Sequence, residues 1–238
     1  MKKPIKIFYL IILSVTLILN GCNDQVNNDN EDTGNKNVNL TFNQIEGVKN
    51  EIALLDASES YNIILNKNIK LGDLFVYMLD KGNVLYGGLK FENKIYSLGV
   101  ISDALIDKDQ LELFDINVGS MYIFGIQGTY GSHTIERNYF TLEDNMPTKI
   151  LQISGYAVEK DLDNDGFIEF INTYGTIPTT EIYIFQDNKV FVSNLNNALN
   201  AESVILNKDT LNFEVNFKEE QSEPMLFKYK NKSLIAAE

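Results

Sequence analysis

Residues 160–171, "KDLDNDGFIEFI", set Asp161, Asp163, Asp165 and Glu169 within one short loop and then run into an apolar segment. Like charges this close repel one another and gain nothing from a core, so the cluster costs stability unless a cation sits among them. Hard divalent cations want about six to eight oxygens at short range, and carboxylates at the first, third and fifth positions of a tight loop converge on one point. Gly166 permits the sharp turn, the backbone carbonyl of Phe167 can point inward, and Glu169 can close the shell from the ninth position. Calcium is the natural ion. Its expected role is to organise the turn, because a catalytic ion keeps open positions and a nearby base.

An EF-hand would need flanking helices and a bidentate Glu at position twelve. Position twelve is Asn172, and the flanks "ILQISGYAVEK" and "FIEFINTYG" alternate like strands. The pattern D-x-D-x-D-G-x-x-E resembles the calcium loop of integrin-type FG-GAP and VCBS β-repeats, which joins two strands. The resemblance covers roughly residues 155–173 and implies ligand roles for Asp161, Asp163, Asp165, Glu169 and the Phe167 carbonyl. FG-GAP repeats usually form seven-bladed propellers, whereas this chain has one good loop; "DKDQLE" (107–112) lacks the glycine and the third acid. At four strands per blade, about 200 residues would not complete such a ring.

Other chemistry is thinly supplied. The lone histidine, His133, stands near Glu136 and the lone arginine, Arg137. Adjacent Ser132 and His133 point apart on an extended backbone, and no nucleophile-elbow sequence occurs, so His133 reads as a surface-loop residue. Gly125, Gly128 and Gly131 lack the following helix of a phosphate cradle and read as tight turns. Paired carboxylates for glycoside cleavage are a matter of spatial separation among 33 acids, and no Trp offers a sugar platform. The stretch 173–185, "TYGTIPTTEIYIF", reads as an exposed loop held by the ion. With His133 and Arg137 it supplies a candidate ligand surface that includes Thr176, Thr179 and Thr180.

The N-terminus carries Lys2, Lys3 and Lys6, then an apolar run from Ile7 to Leu19. This is a secretory signal pattern, too short for a spanning helix. "LNGC" (19–22) resembles the lipobox of bacterial lipoproteins, which implies lipidation of Cys22 and an extracytoplasmic, membrane-tethered protein. Cys22 is the one cysteine, so no internal disulfide or cysteine-based site is possible. The expected organisation is a signal over 1–21, a lipidated flexible tether over 22–38, poor in apolar residues, and a single β-rich domain over 39–238.

Cleavage after residue 21 would leave 17 basic against 33 acidic residues, a net charge of −16. That balance disfavours nucleic acid and anionic head groups and favours cations or basic partners.

Short β-branched or aromatic runs at 74–80, 84–91, 94–101, 121–126, 149–159, 181–185, 189–195, 211–217 and 225–230 predict strands. Turns are expected at 80–83, 91–94, 186–189 and 229–232. Helices are expected at 43–55, where Ile45, Val48, Ile52 and Leu55 share a face, and at 194–202. The class is mainly β, with antiparallel sheets as a sandwich or partial propeller-like meander and one or two short helices. An importer's solute receptor, rich in alternating helix and strand, fits poorly. Two functions remain: a calcium-stiffened binding module for a protein or cell-wall ligand, and a lipid-anchored hydrolase using acidic residues.

Overall fold

Three short strands come first among the described residues: β1 (Asn37–Asn39), β2 (Asn43–Gln44) and β3 (Ala53–Leu54). Four antiparallel meanders follow. The first sheet holds β4 (Tyr61–Ile69), β5 (Gly72–Leu79), β6 (Leu85–Phe91) and β7 (Lys94–Ser102); the second holds β8 (Glu112–Val118), β9 (Met121–Tyr130), β10 (Thr134–Glu143) and β11 (Met146–Ser154). The third holds β12 (Val158–Lys160), β13 (Glu169–Tyr174), β14 (Thr179–Gln186) and β15 (Lys189–Asn194); the fourth holds β16 (Ser203–Leu206), β17 (Asn212–Asn216), β18 (Met225–Lys230) and β19 (Ser233–Ala236). This computed structural model describes residues 37–45, 48, 51–56, 58–80, 82–131, 134–217 and 223–237, all within one compact unit spanning 35–238.

Alternation along each strand converts sequence into layers, because successive side chains point to opposite faces. In β9, Phe124 and Ile126 pack with Leu74, Leu89 and Leu98 of the first sheet, while Ile123 packs on the other side with Tyr139 and with Phe170 of the third. In β13, Phe170 faces the second sheet and Ile171 faces the fourth, meeting Val204, Phe213 and Phe227. The meanders therefore stack face to face in chain order around three cores. Among the described residues no core joins the first sheet to the fourth, so the stack is open, as the partial propeller-like alternative expects.

Each fully buried Phe contributes about 1.5–3 kcal/mol, more than the roughly 1 kcal/mol net of one ladder hydrogen bond. Phe124, Phe140, Phe170, Phe213 and Phe227 are all fully buried, so packing between faces holds the stack.

The N-terminal strands stitch across it. β1 pairs with β19, β2 with β15 and β3 with β7, the last strands of the fourth, third and first meanders. Between these pairings Ile45 packs against the core of sheets two and three, and Ile52 against that of sheets one and two. This strap covers edges that would otherwise offer unpaired backbone groups. It also overturns the helix expected over 43–55: the apolar periodicity is real, but edge hydrogen bonds use Asn43, Gln44, Ala53 and Leu54 as strand, and none of the described residues there is helical.

The second expected helix forms as α1 (Leu195–Leu199), with the Asn194 side chain accepting from the backbone N–H of Asn197. A 3-10 turn lies at Lys108–Gln110. No helix among the described residues is long and apolar enough to cross a membrane.

The expected turns also form. At Asp187–Asn188 and Asn231–Lys232 both central residues have positive φ, matching two-residue hairpins whose twist suits the flanking strands. The strand expected over 149–159 breaks at Gly155, where φ is +124°; β11 and β12 then belong to different sheets.

Gly125 and Gly128 lie inside β9, not in turns. A Cβ on Gly128 would stand 2.0 Å from the carbonyl oxygen of Ile101, so this glycine allows β9 and β7 to approach. Gly128→Ala is expected to cost about 3 kcal/mol by forcing those strands apart, read as a shifted denaturant midpoint. An unchanged midpoint would count against the close approach.

Candidate metal centre

The acidic loop closes the β12–β13 hairpin, whose last ladder pair is Lys160 with Glu169. Its shape comes from its own carboxylates. Asp161 accepts from the backbone N–H groups of Asp165 (3.1 Å) and Gly166 (3.0 Å), and Asp165 accepts from Phe167 at 2.8 Å. Glu169 reaches back to accept from Leu162 at 2.9 Å. Asn164 and Gly166 take positive φ values of 59° and 89°, the left-handed geometry that the glycine was expected to supply.

One carboxylate oxygen from each of Asp161, Asp163 and Glu169 lies within 4.8 Å of the others. Asp163 Oδ2 accepts from the backbone N–H of Asn231 at 2.7 Å, which ties the loop to the β18–β19 turn of the fourth sheet. Its Oδ1 is buried and has no hydrogen-bond partner. Burial without a donor costs a carboxylate oxygen about 1–3 kcal/mol or more.

Among the described residues no nearby cation offsets this. Lys232 lines the adjoining pocket of about 360 Å³, but its ammonium donates to Gln186 at 2.8 Å. Among the described residues, none of the four acids forms an ion pair.

Glu169 is 3% exposed, and its acidity shows the consequence. Burial, followed by the charges of Asp163, Asp165 and Asp161, pushes its pKa up to about 7, against the stabilising N–H of Leu162. Burial, then the charges of Glu169, Asp163 and Asp165, raises the Tyr229 hydroxyl as well. An all-oxygen donor set with one orphaned buried oxygen and a proton-hungry glutamate fits a hard divalent cation.

Asp165 stands apart from the tight trio, its carboxylate turned to the backbone of Phe167. The Phe167 ring, half exposed, lies against the β8–β9 turn, where a Cβ on Gly119 would come within 2.8 Å of it. The loop thus touches sheets two and four from its base in sheet three.

The other expected site residues do not join it. Arg137 is an internal tie: it lies 3.2 Å from Glu159 and 3.3 Å from Glu112, with its guanidinium 4.3 Å from the Phe114 ring centre. Thr176 is exposed in the β13–β14 turn and Thr179 begins β14. Thr180 is fully buried, donates to the carbonyl of Val204 and shares a hydrogen bond with the Thr173 hydroxyl.

Stretch 173–185 is therefore mostly hairpin strand instead of an exposed loop. Its turn is held by Asn196 of α1, which bonds the Pro178 carbonyl and the Thr180 N–H, and it sits at the end of β13 opposite the acidic loop. His133 and Cys22 lie outside the described residues. The Asn231 N–H was missed from sequence because its link to Asp163 spans 68 positions and uses only the backbone of Asn231. Comparisons with protein-family models, curated proteins and solved structures find no match to this chain.

Proposed function

We propose that this chain is a lipid-anchored, extracytoplasmic binding protein whose stacked sheets are stapled by calcium. Asp161, Asp163, Asp165, Glu169 and the Phe167 carbonyl would hold the ion, and lipidated Cys22 would hold the protein on the membrane. The carrying observation is the buried, partnerless Oδ1 of Asp163, on a carboxylate that comes within 4.8 Å of those of Asp161 and Glu169. A cation there would turn mutual repulsion into a clasp between the third and fourth sheets. The loop's sequence, which resembles the FG-GAP and VCBS calcium turn, supports the same ion. The stiffened domain would serve recognition of a protein or cell-wall ligand, not turnover.

Calorimetric titration tests the staple. The full chain should bind one calcium, and Asp163→Ala should weaken binding strongly, because a ligand and a charge leave together. At a hundredfold excess over Kd, calcium should add about 2.7 kcal/mol of stability. Equal affinity in the variant would remove the assignment.

A further inference from the structure

The core between sheets two and three does not run the full length of β13. It begins with Phe170, opposite Tyr183 of β14, but two residues on, the same face carries Asn172, opposite Glu181, and then Tyr174. There the sheets part around an open groove of about 660 Å³. Tyr156, 71% exposed, and Tyr174, 40% exposed, present ring surface to it. Solvent-facing aromatic rings beside a concave polar surface are costly unless a ligand uses them.

The polar groups narrow the ligand's chemistry. Among the described residues no Lys or Arg lines the groove to hold a phosphate or carboxylate. Its one carboxylate, Glu181, is already engaged: Tyr174 donates to Oε1 at 3.2 Å and Tyr183 to Oε2 at 2.7 Å. A cationic ligand would have to compete with both hydroxyls. What is left is neutral hydrogen-bonding capacity, supplied chiefly by Asn172; the Gln152 amide and the Ser154 hydroxyl already donate to Glu136, and the Thr173 hydroxyl pairs with Thr180.

Asn172 is 4% exposed and donates to the Ser154 carbonyl at 3.1 Å, while its Oδ1 lacks any partner. A side chain on Gly155 would come within 2.7 Å of that oxygen, so only glycine leaves space beside it. Ring faces for apolar C–H surfaces, with amides and hydroxyls around them, match a sugar ring, which has an apolar face and a rim of hydroxyls.

We infer that this groove binds a neutral oligosaccharide, with Tyr156 and Tyr174 as stacking platforms and Asn172 fixing its hydroxyls. This rests on the binding-module reading and names its ligand class.

The test is calorimetric titration of the full chain, in calcium, with cellopentaose, chitopentaose and maltopentaose, and separately with pentalysine. At least one oligosaccharide should bind, and Tyr156→Ala and Tyr174→Ala should each weaken it about tenfold. Tyr86→Ala, on the far face of the first sheet, should leave affinity unchanged. Since Tyr156 is mostly exposed, its variant should melt with the parent, which separates lost binding from lost fold.

Binding of none of the sugars, binding indifferent to both tyrosines, or binding of pentalysine alone would overturn the inference. Shortening of a bound oligosaccharide would overturn the non-catalytic reading while leaving the groove's ligand class in place. Failure of calcium binding would sink the staple and leave the groove untouched.

Discussion

Arg137→Ala is expected to cost about 3–5 kcal/mol, the range for removing one partner of a buried ion pair. At about 2–4 °C per kcal/mol for a unit of this size, the melting temperature should fall by roughly 10 °C. The side chain is 11% exposed and Glu159 16%, so neither charge is well solvated. Its Nε lies 3.2 Å from Glu159 Oε1 without a directed hydrogen bond, so that contact is ionic. The NH1 group meets Glu112 and Gln127, both at 3.3 Å, and the planar group lies over Phe114. Glu159 Oε1 also accepts from the Tyr139 hydroxyl at 2.6 Å.

One residue thus ties β8, β9 and β10 of the second sheet to β12 of the third. Alanine would leave Glu159 facing Tyr139 alone and open a void above Phe114. Arg137→Lys should recover only part of the loss, because one ammonium cannot serve three partners and the ring together. Glu112→Ala is the control: its side chain is half exposed, so its loss should cost at most about 1 kcal/mol. Equal melting temperatures for Arg137→Ala and Glu112→Ala would show that the tie carries no stability.

Arg137 also marks where the sequence stops being informative. Its rarity drew attention to a ligand surface, whereas its partners lie 10, 22 and 25 positions away and became visible only with the sheets assembled. The acidic loop was legible because its geometry is local: spacing, glycine and flanking strands all act within nine residues, and the backbone bonds to Asp161 and Asp165 follow that order. The hairpins at 186–189 and 229–232 were legible for the same reason.

Strands with interrupted patterns were not. β4, "YNIILNKNI", mixes asparagines with isoleucines, and β10 begins with "TIERN", yet each is paired over most of its length. Long-range pairing decides such segments, as it decides β2 and β3, which close open edges instead of coiling. The groove lay beyond reach because Tyr156 and Asn172 are joined by the parting of two sheets and not by any spacing.

The pH dependence of stability should change with calcium, because proton and ion compete for Glu169. Without the ion, its folded pKa of about 7 stands above the ordinary 4.5, so the folded state binds this proton more tightly than the unfolded chain. Stabilisation by the proton is then complete below about pH 4.5 and is lost as pH rises through about 7. The shift corresponds to about 3 kcal/mol. In chelator, stability should decline across that window; in millimolar calcium, the ion should take the proton's place and the decline should disappear. Glu136, also raised by burial, contributes in the same direction in both conditions and cancels in the difference.

Glu169→Gln separates the two effects, since the amide keeps the side chain neutral while supplying a weaker ligand. In chelator at pH 8 it should be more stable than the parent by up to about 3 kcal/mol, and calcium should add little to it. Denaturant midpoints measured from pH 5 to pH 8, with chelator and with calcium, decide the matter. Parallel curves for the parent in both conditions would mean that no ion relieves the buried charge.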